Sequence, residues 1–136
     1  MELRSHSFQD LVQQKIEAYR IVLTEPDSTW TVDVRVFLKC LNERLYEASV
    51  TLGEIRRQFG LRDNNISTDF AAYVGMPPRE YRIRHRVGLA RQLLRDEQLR
   101  DMPIAWIALA VGYTHSAFST VFKQRVGYSP LVYRAG

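Results

Sequence analysis

The 136-residue chain is 46% hydrophobic, which suits a packed core rather than a disordered chain, and no apolar run approaches the roughly 20 residues that span a bilayer. Its formal charge of +4 is uneven: residues 1–50 carry six Lys/Arg against eight Asp/Glu, whereas residues 51–136 carry thirteen against seven, the imbalance expected of a polyanion-binding part. The single cysteine, Cys40, excludes an internal disulfide and a cysteine-based zinc cluster, and MELRSHSFQD at the amino end lacks the apolar centre of an export signal, so a cytoplasmic protein is the expectation.

Taken in chain order, Ser7 with Asp10 predicts a helix start, and Phe8, Leu11, Val12, Ile16, Tyr19 and Leu23 form one apolar stripe. Glu25-Pro26-Asp27-Ser28 breaks it, so residues 1–30 read as a helical extension. The alternation from Trp30 to Val36 fits a short strand, but Val34, Phe37, Leu38, Leu41 and Leu45 favour a helix from Val34 on. Thr51 followed by Glu54 is a capping box for a helix that runs through Ile55 and Phe59 and stops at Gly60. Arg62-Asp63 starts a second helix, about residues 63–74, with Ile66, Phe70, Tyr73 and Val74 as its apolar positions. Gly75 ends it, and Pro78 opens a connector helix to about Asp96.

The connector carries an apolar stripe of Ile83, Val87, Ala90 and Leu94, flanked by Arg84, Arg91 and Arg95 on one side and Arg82 and Arg86 on the other. Gly88 inside it either admits a close neighbour or marks a bend. Beyond it, Asp101 is the expected cap, with Pro103 in the first turn and Ile104, Ile107 and Val111 facing inward. Gly112 turns the chain into a further helix, about residues 116–126, packed by Phe118, Phe122 and Val126. Gly127 and Pro130 close the pattern.

The two helix pairs are copies of each other. Sliding Leu52–Arg82 forward by 52 residues onto Ile104–Arg134 gives ten identities in 31 gapless positions, against roughly two expected from composition. They include Ile55/Ile107, Gly60/Gly112, Ser67/Ser119, Thr68/Thr120, Phe70/Phe122, Gly75/Gly127 and Tyr81/Tyr133. A helix, a glycine turn and a second helix make a helix-turn-helix. A connector of about 28 Å plus its turns would place two such units about one DNA turn apart, near 34 Å.

The second copy, IAWIALAVGYTHSAFSTVFKQRVGYSPLVYR, closely resembles the AraC/XylS-family DNA-binding domain: Ile-Ala at a helix start, Gly-Tyr at the turn, then Phe-Ser, Val-Phe-Lys, Gly-x-Ser-Pro and Tyr-Arg. LGEIRRQFGL, ISTDF, GMPPREYR and RVGLARQLL resemble that family's first helix-turn-helix and linker, and the likeness covers roughly residues 32–136. It implies an all-α fold of two homeodomain-like helix-turn-helix units joined by a long linker helix, with an extra N-terminal helix. The domain would span 31–136, with a first unit at about 31–78, the linker at about 78–96 and a second unit at about 101–136. Thr68 and Thr120 stand where the family often has arginine, the turn from Gly112 to Phe118 is one residue shorter than usual, and Asp69 and Ala71 replace a more neutral or basic pair.

Resemblance and periodicity together put the DNA-facing residues at Arg62, Asn64, Asn65, Ser67 and Thr68 in the first copy and at Thr114, His115, Ser116, Ser119, Thr120 and Lys123 in the second. Asn suits adenine, Arg suits guanine, and hydroxyls serve bases or phosphates. Arg57, Arg79, Arg82 and Arg125 lie near helix ends and are phosphate candidates. Capping is a rival role for Asp63 and Ser116, and a structural ion pair for Arg82 and Arg134. His6, His85 and His115 are scattered without metal-ligand spacing, and no phosphate loop or nucleophile motif is present, so neither a metal, a cofactor nor catalysis is expected. The expectation is a bacterial, nucleoid-associated transcription regulator that binds double-stranded DNA as a monomer, or as a weak homodimer through the N-terminal helix, with RNA polymerase as a second candidate partner. The alternative is a helical protein-interaction module that keeps the fold without tight DNA binding.

Overall fold

Helices form wherever the apolar spacing demands them. The structure, a computed structural model, describes residues 2–58, 60 and 65–136, with side chains from residue 8 onward. Among the described residues all regular structure is helical: α1 (Glu2–Tyr19), α2 (Val32–Glu43), α3 (Leu52–Gln58), α4 (Ile66–Val74), α5 (Pro78–Arg95), α6 (Ile104–Ala110), α7 (His115–Val126) and α8 (Pro130–Ala135), with short 3-10 turns at Arg20–Val22 and Glu97–Leu99. No single helix among them is long and apolar enough to cross a membrane.

The chain divides into two compact units, and the division falls within α5. The unit Leu23–His85 packs α2 against α3 and α4. All five residues of the apolar set on and after α2, namely Val34, Phe37, Leu38, Leu41 and Leu45, are buried, and they meet Ile55, Ile66, Phe70 and Tyr81 in one core. Phe70 sits edge-on between Phe37 and Tyr81, with ring centroids 5.8 and 5.7 Å away. The strand alternative for Trp30–Val36 is not realised, because α2 begins at Val32, behind the extended Thr31. Tyr81 carries a polar knot into this core. Its hydroxyl donates to Asn42 Oδ1 (2.6 Å) and accepts from the Thr24 N–H (3.1 Å), while Asn42 Nδ2 donates to the Thr24 carbonyl (2.8 Å). The triangle satisfies every buried polar atom it brings in, as burial requires.

The other unit joins Arg86–Gly136 to the N-terminal residues up to Val22. Leu89, Ala90 and Leu93 on α5, Ile107, Ala108 and Val111 of α6 and its cap, and Phe118 and Phe122 of α7 are all without exposure. The 52-residue relation therefore extends further back than identities reveal. The C-terminal part of α5 matches α2 position for position: Phe37/Leu89, Leu38/Ala90 and Leu41/Leu93 are buried pairs. α1 completes this unit. Phe8 meets Trp106 edge-on at 6.2 Å, Lys15 Nζ pairs with Asp96 Oδ2 at 3.1 Å, and Tyr19 lies over Gly88. A Cβ at Gly88 would collide with the Tyr19 hydroxyl, so this glycine admits a close neighbour.

Several local expectations are corrected. α1 starts at Glu2 rather than at a Ser7 cap; Leu3, Arg4, Ser5 and His6 include no glycine or proline to stop it. Asp101 does not cap α6: the N-cap is Pro103, whose carbonyl accepts from the Trp106 and Ile107 N–H groups. Thr51 does cap α3, its hydroxyl accepting from the Glu54 N–H at 3.1 Å. Arg86 is not a surface flank of the connector but a buried residue, only 4% exposed. The Phe59 and Asp63 expectations lie outside the described residues.

Replacing Tyr81 by Phe strands Asn42 Oδ1 and the Thr24 N–H, and urea unfolding should show a loss of about 1–3 kcal/mol with an unchanged m-value; a loss near zero would mean the knot is dispensable. His85, edge-on to Tyr81 with ring centroids 4.5 Å apart, gives a pH signature. Burial, with the charge of Arg84 second, lowers it from 6.5 to about 4. An unfolded chain takes up this proton below about 6.5 and the folded one does not until about 4, so the stabilisation is full above 6.5 and is lost as pH falls towards 4. Thermal melts of His85→Phe should therefore show a shallower decline than wild type over that window.

Candidate nucleic-acid interface

Each unit presents one helix whose apolar side is sunk and whose polar side is free of the core. In the second unit, α6 and α7 meet at 84°. Val111 and Gly112 make the turn, and Gly112 has φ +101°. Phe118 and Phe122, four residues apart and fully buried, fix the rotation of α7 about its own axis. The opposite face carries Ser116, Thr120 and Lys123, all exposed, with exposed His115 in the first turn and half-buried Ser119 flanking it. The Thr114 hydroxyl accepts from the Ala117 N–H (3.3 Å), so Thr114 rather than Ser116 is the cap. The Thr120 hydroxyl donates to the Ser116 carbonyl (3.2 Å), which commits its proton to the helix backbone and leaves its oxygen as an acceptor. Gln124, one turn beyond Thr120, is exposed on the same helix; the i+4 spacing was the signal that could have named it.

The turn before α7 is held from beneath. The Arg86 guanidinium donates from Nη1 to the Gly112 carbonyl (3.0 Å) and lies 5.0 Å from the centre of the Tyr113 ring. A buried cation so placed satisfies a turn carbonyl while stacking on an aromatic face. A Cβ at Gly112 would come within 2.7 Å of the guanidinium carbon. The terminal nitrogens of Arg134, at the repeat position of Arg82, donate to the Arg100 (2.9 Å) and Met102 (2.6 Å) carbonyls and tie α8 to the segment before α6. Burial lowers its pKa, against the raising influence of Asp101.

In the first unit, Ile66 and Phe70 are buried on α4, while Ser67 and Thr68 are exposed and Asp69 half-buried. Asn65 is exposed at the N-cap position. Arg62 and Asn64 lie outside the described residues. Tyr73 does not join the core as its spacing suggested: it is 40% exposed and stacks on Trp30, with ring centroids 5.5 Å apart. Of the phosphate candidates, Arg57 closes α3, Arg79 sits in the first turn of α5 and Arg125 in the last turn of α7, all exposed, while Arg82 is half-buried. The units differ in charge: Ile104–Gly136 contains no Asp or Glu, whereas α4 carries Asp69 and no Lys or Arg. No group of three potential metal ligands occurs among the described residues.

These features define a double helix-turn-helix domain. The sequence matches the helix-turn-helix domain family over residues 55–136. It is 36% identical over 87 residues to an AraC-like transcription regulator of Streptomyces antibioticus, covering 63% of this chain and 28% of that protein. It is 30% identical over 115 residues to the transcriptional activator RhaS of Escherichia fergusonii, covering 84% of this chain and 40% of RhaS. The C-terminal domain of AraT, a response regulator from Geobacillus stearothermophilus, superposes with a TM-score of 0.69 at 27% identity, over 79% of this chain and 88% of that domain. The chain belongs to the AraC family of helix-turn-helix regulators. It spans well under half the length of the curated relatives it matches, which are transcription regulators rather than enzymes.

Gly112 and Gly127 have nearly the same φ, +101° and +94°, but a Cβ at Gly127 meets nothing within 4 Å. Both Gly→Ala variants should lose about 1–2 kcal/mol from the left-handed backbone, and Gly112→Ala should lose clearly more in urea unfolding because Arg86 must move. Equal losses would mean that the guanidinium yields freely.

Proposed function

We propose that this chain is a sequence-specific DNA-binding transcription regulator that inserts α4 and α7 into adjacent major grooves. The observation that carries this reading is the repeated polar face: Ser67 and Thr68 on α4 and Ser119 and Thr120 on α7 occupy the same repeat positions, Thr68 and Thr120 exposed on the side away from buried Phe70 and Phe122 and the serines beside those rings. Asn65, Ser67 and Thr68, with Arg62 and Asn64 before them, would read one groove. Thr114, His115, Ser116, Ser119, Thr120 and Lys123 would read the other, Thr114 through its methyl since its hydroxyl caps α7. Arg57, Arg79, Arg82 and Arg125 would hold phosphates and set register. Support for two grooves comes from α5, a continuous helix of 18 residues and hence about 27 Å in length. The protein acts in the cytoplasm on the nucleoid. It binds as a monomer, because Phe8, Val12 and Tyr19, the stripe a dimer would need, are buried within its own unit. RNA polymerase is the natural second partner of such a regulator.

The competing reading, a fold retained for protein contacts alone, draws on α4, which has Asp69 and no cation. Anisotropy titrations of duplexes of about 25 base pairs decide between them. Groove reading predicts selective binding whose log affinity falls against log salt with a slope near −4 if four arginines meet phosphates. It also predicts an affinity at least about ten-fold weaker in Thr68→Ala plus Thr120→Ala. Absence of duplex binding at low salt by folded protein would leave the interaction-module reading.

A further inference from the structure

We propose that the groove between the C-terminal part of α5 and α8 docks an acidic, amphipathic helical segment of a partner protein, separately from the recognition faces. The floor of this groove is aromatic and apolar. Tyr128 and Val132, 60 and 56% exposed, line a cavity of about 430 Å³ together with Arg91, Arg95, Val126 and Tyr133, and Leu131, 65% exposed, adjoins Val132 on α8. The fold does not require their exposure: α8 is anchored by buried Pro130, by the Ser129 hydroxyl accepting from the Val132 N–H, and by Arg134.

The rim is cationic and already oriented. Arg95 stacks 4.0 Å from the centre of the Tyr133 ring and Arg91 lies 5.6 Å from it. Nε of Arg95 donates to the Tyr133 carbonyl (3.0 Å) and Nε of Arg91 to the Tyr133 hydroxyl (3.2 Å). Those bonds fix both guanidinium planes and leave the terminal nitrogens uncommitted, the arrangement that binds carboxylates in bidentate fashion. Among the described residues neither arginine has a carboxylate partner. The nearest acids along the chain are engaged elsewhere, Asp96 with Lys15 and Glu97 with Arg100. No acid lies between Ile104 and Gly136 to neutralise the groove from within.

This combination selects the occupant. Arg91 and Arg95 are one helical turn apart, the spacing at which a partner helix presents two carboxylates on one face, and Tyr128 and Val132 would cover that helix's apolar stripe. A phosphate backbone would use the arginines but gain nothing from Val132 or the face of the Tyr128 ring.

The test uses the whole chain and fluorescein-labelled amphipathic peptides with a leucine stripe and glutamate pairs at i,i+3 or i,i+4, beside versions with every Glu replaced by Gln. The glutamate peptides should bind, the glutamine versions should bind at least about ten-fold more weakly, and Arg91→Gln plus Arg95→Gln should remove that preference. Val132→Asp, at an exposed site where the fold tolerates it, should abolish peptide binding and keep duplex affinity. The proposal is overturned if neither glutamate peptide binds at about 1 mM, or if the glutamine versions bind as well. It also fails if the arginine pair lowers duplex affinity and its salt slope, which would make these residues phosphate contacts. Concentration-dependent self-association abolished by Val132→Asp would assign the groove to a second copy and likewise overturn it.

Discussion

The rotation of one helix about its own axis is the constraint on which each unit depends. A helix of nine or twelve residues has no means of aiming its polar face except by what its opposite face is locked into. Here the lock is a pair of buried side chains four residues apart, Ile66 and Phe70 on α4, Phe118 and Phe122 on α7, pressed into a core of α2 or its counterpart in α5. Rings in that position tolerate little rotation, because close-packed interiors forfeit dispersion contacts with sub-ångström shifts. The hydroxyls at repeat-equivalent positions 67/119 and 68/120 inherit their direction from those apolar anchors.

On this common frame the units use different polar fastenings. Leu23–His85 relies on a neutral triangle of buried Tyr81 with half-buried Asn42 and Thr24, whose groups pair with one another. Arg86–Gly136 relies on cations that grip carbonyls: Arg86 on Gly112, Arg134 on Arg100 and Met102, Arg95 on Tyr133. The position of Arg86 in one copy is Val34 in the other, fully buried. A duplicated backbone has thus kept its apolar template while its polar fastenings diverged. The charge census follows the same line, since the copy with guanidinium fastenings is also the one without carboxylates from residue 104 onward.

Much of this was legible in the sequence because apolar periodicity and glycine placement are local signals. The buried set of α2, the Thr51 cap, the turns at Gly60 and Gly112, and the sunken Phe70, Phe118 and Phe122 could all be read from spacing. What escaped depends on neighbours distant along the chain. Arg86 looks like a flank of the connector stripe until Gly112, 26 residues away, comes to lie on it. Gly88 has no evident reason until Tyr19 covers it. Helix starts escaped for another reason: Thr114 against Ser116, and Pro103 against Asp101, are choices between adjacent polar or proline residues whose energies differ little. Tyr73 was misjudged because a tyrosine can satisfy helical spacing while lying half outside, with its ring on Trp30.

The division of the chain within α5 bears on how the protein comes apart. One uninterrupted backbone ladder holds Tyr81 in one core and Leu89 and Leu93 in the other. Local opening of either unit must then end inside a helix whose remaining turns are still packed, and melting part of a helix forfeits hydrogen bonds without releasing the rest of the chain. The shared helix therefore acts as a cooperativity element that resists separate unfolding of the two copies. A duplication joined by a flexible linker would lack this property, and would expose one half-core whenever the other half alone remained folded.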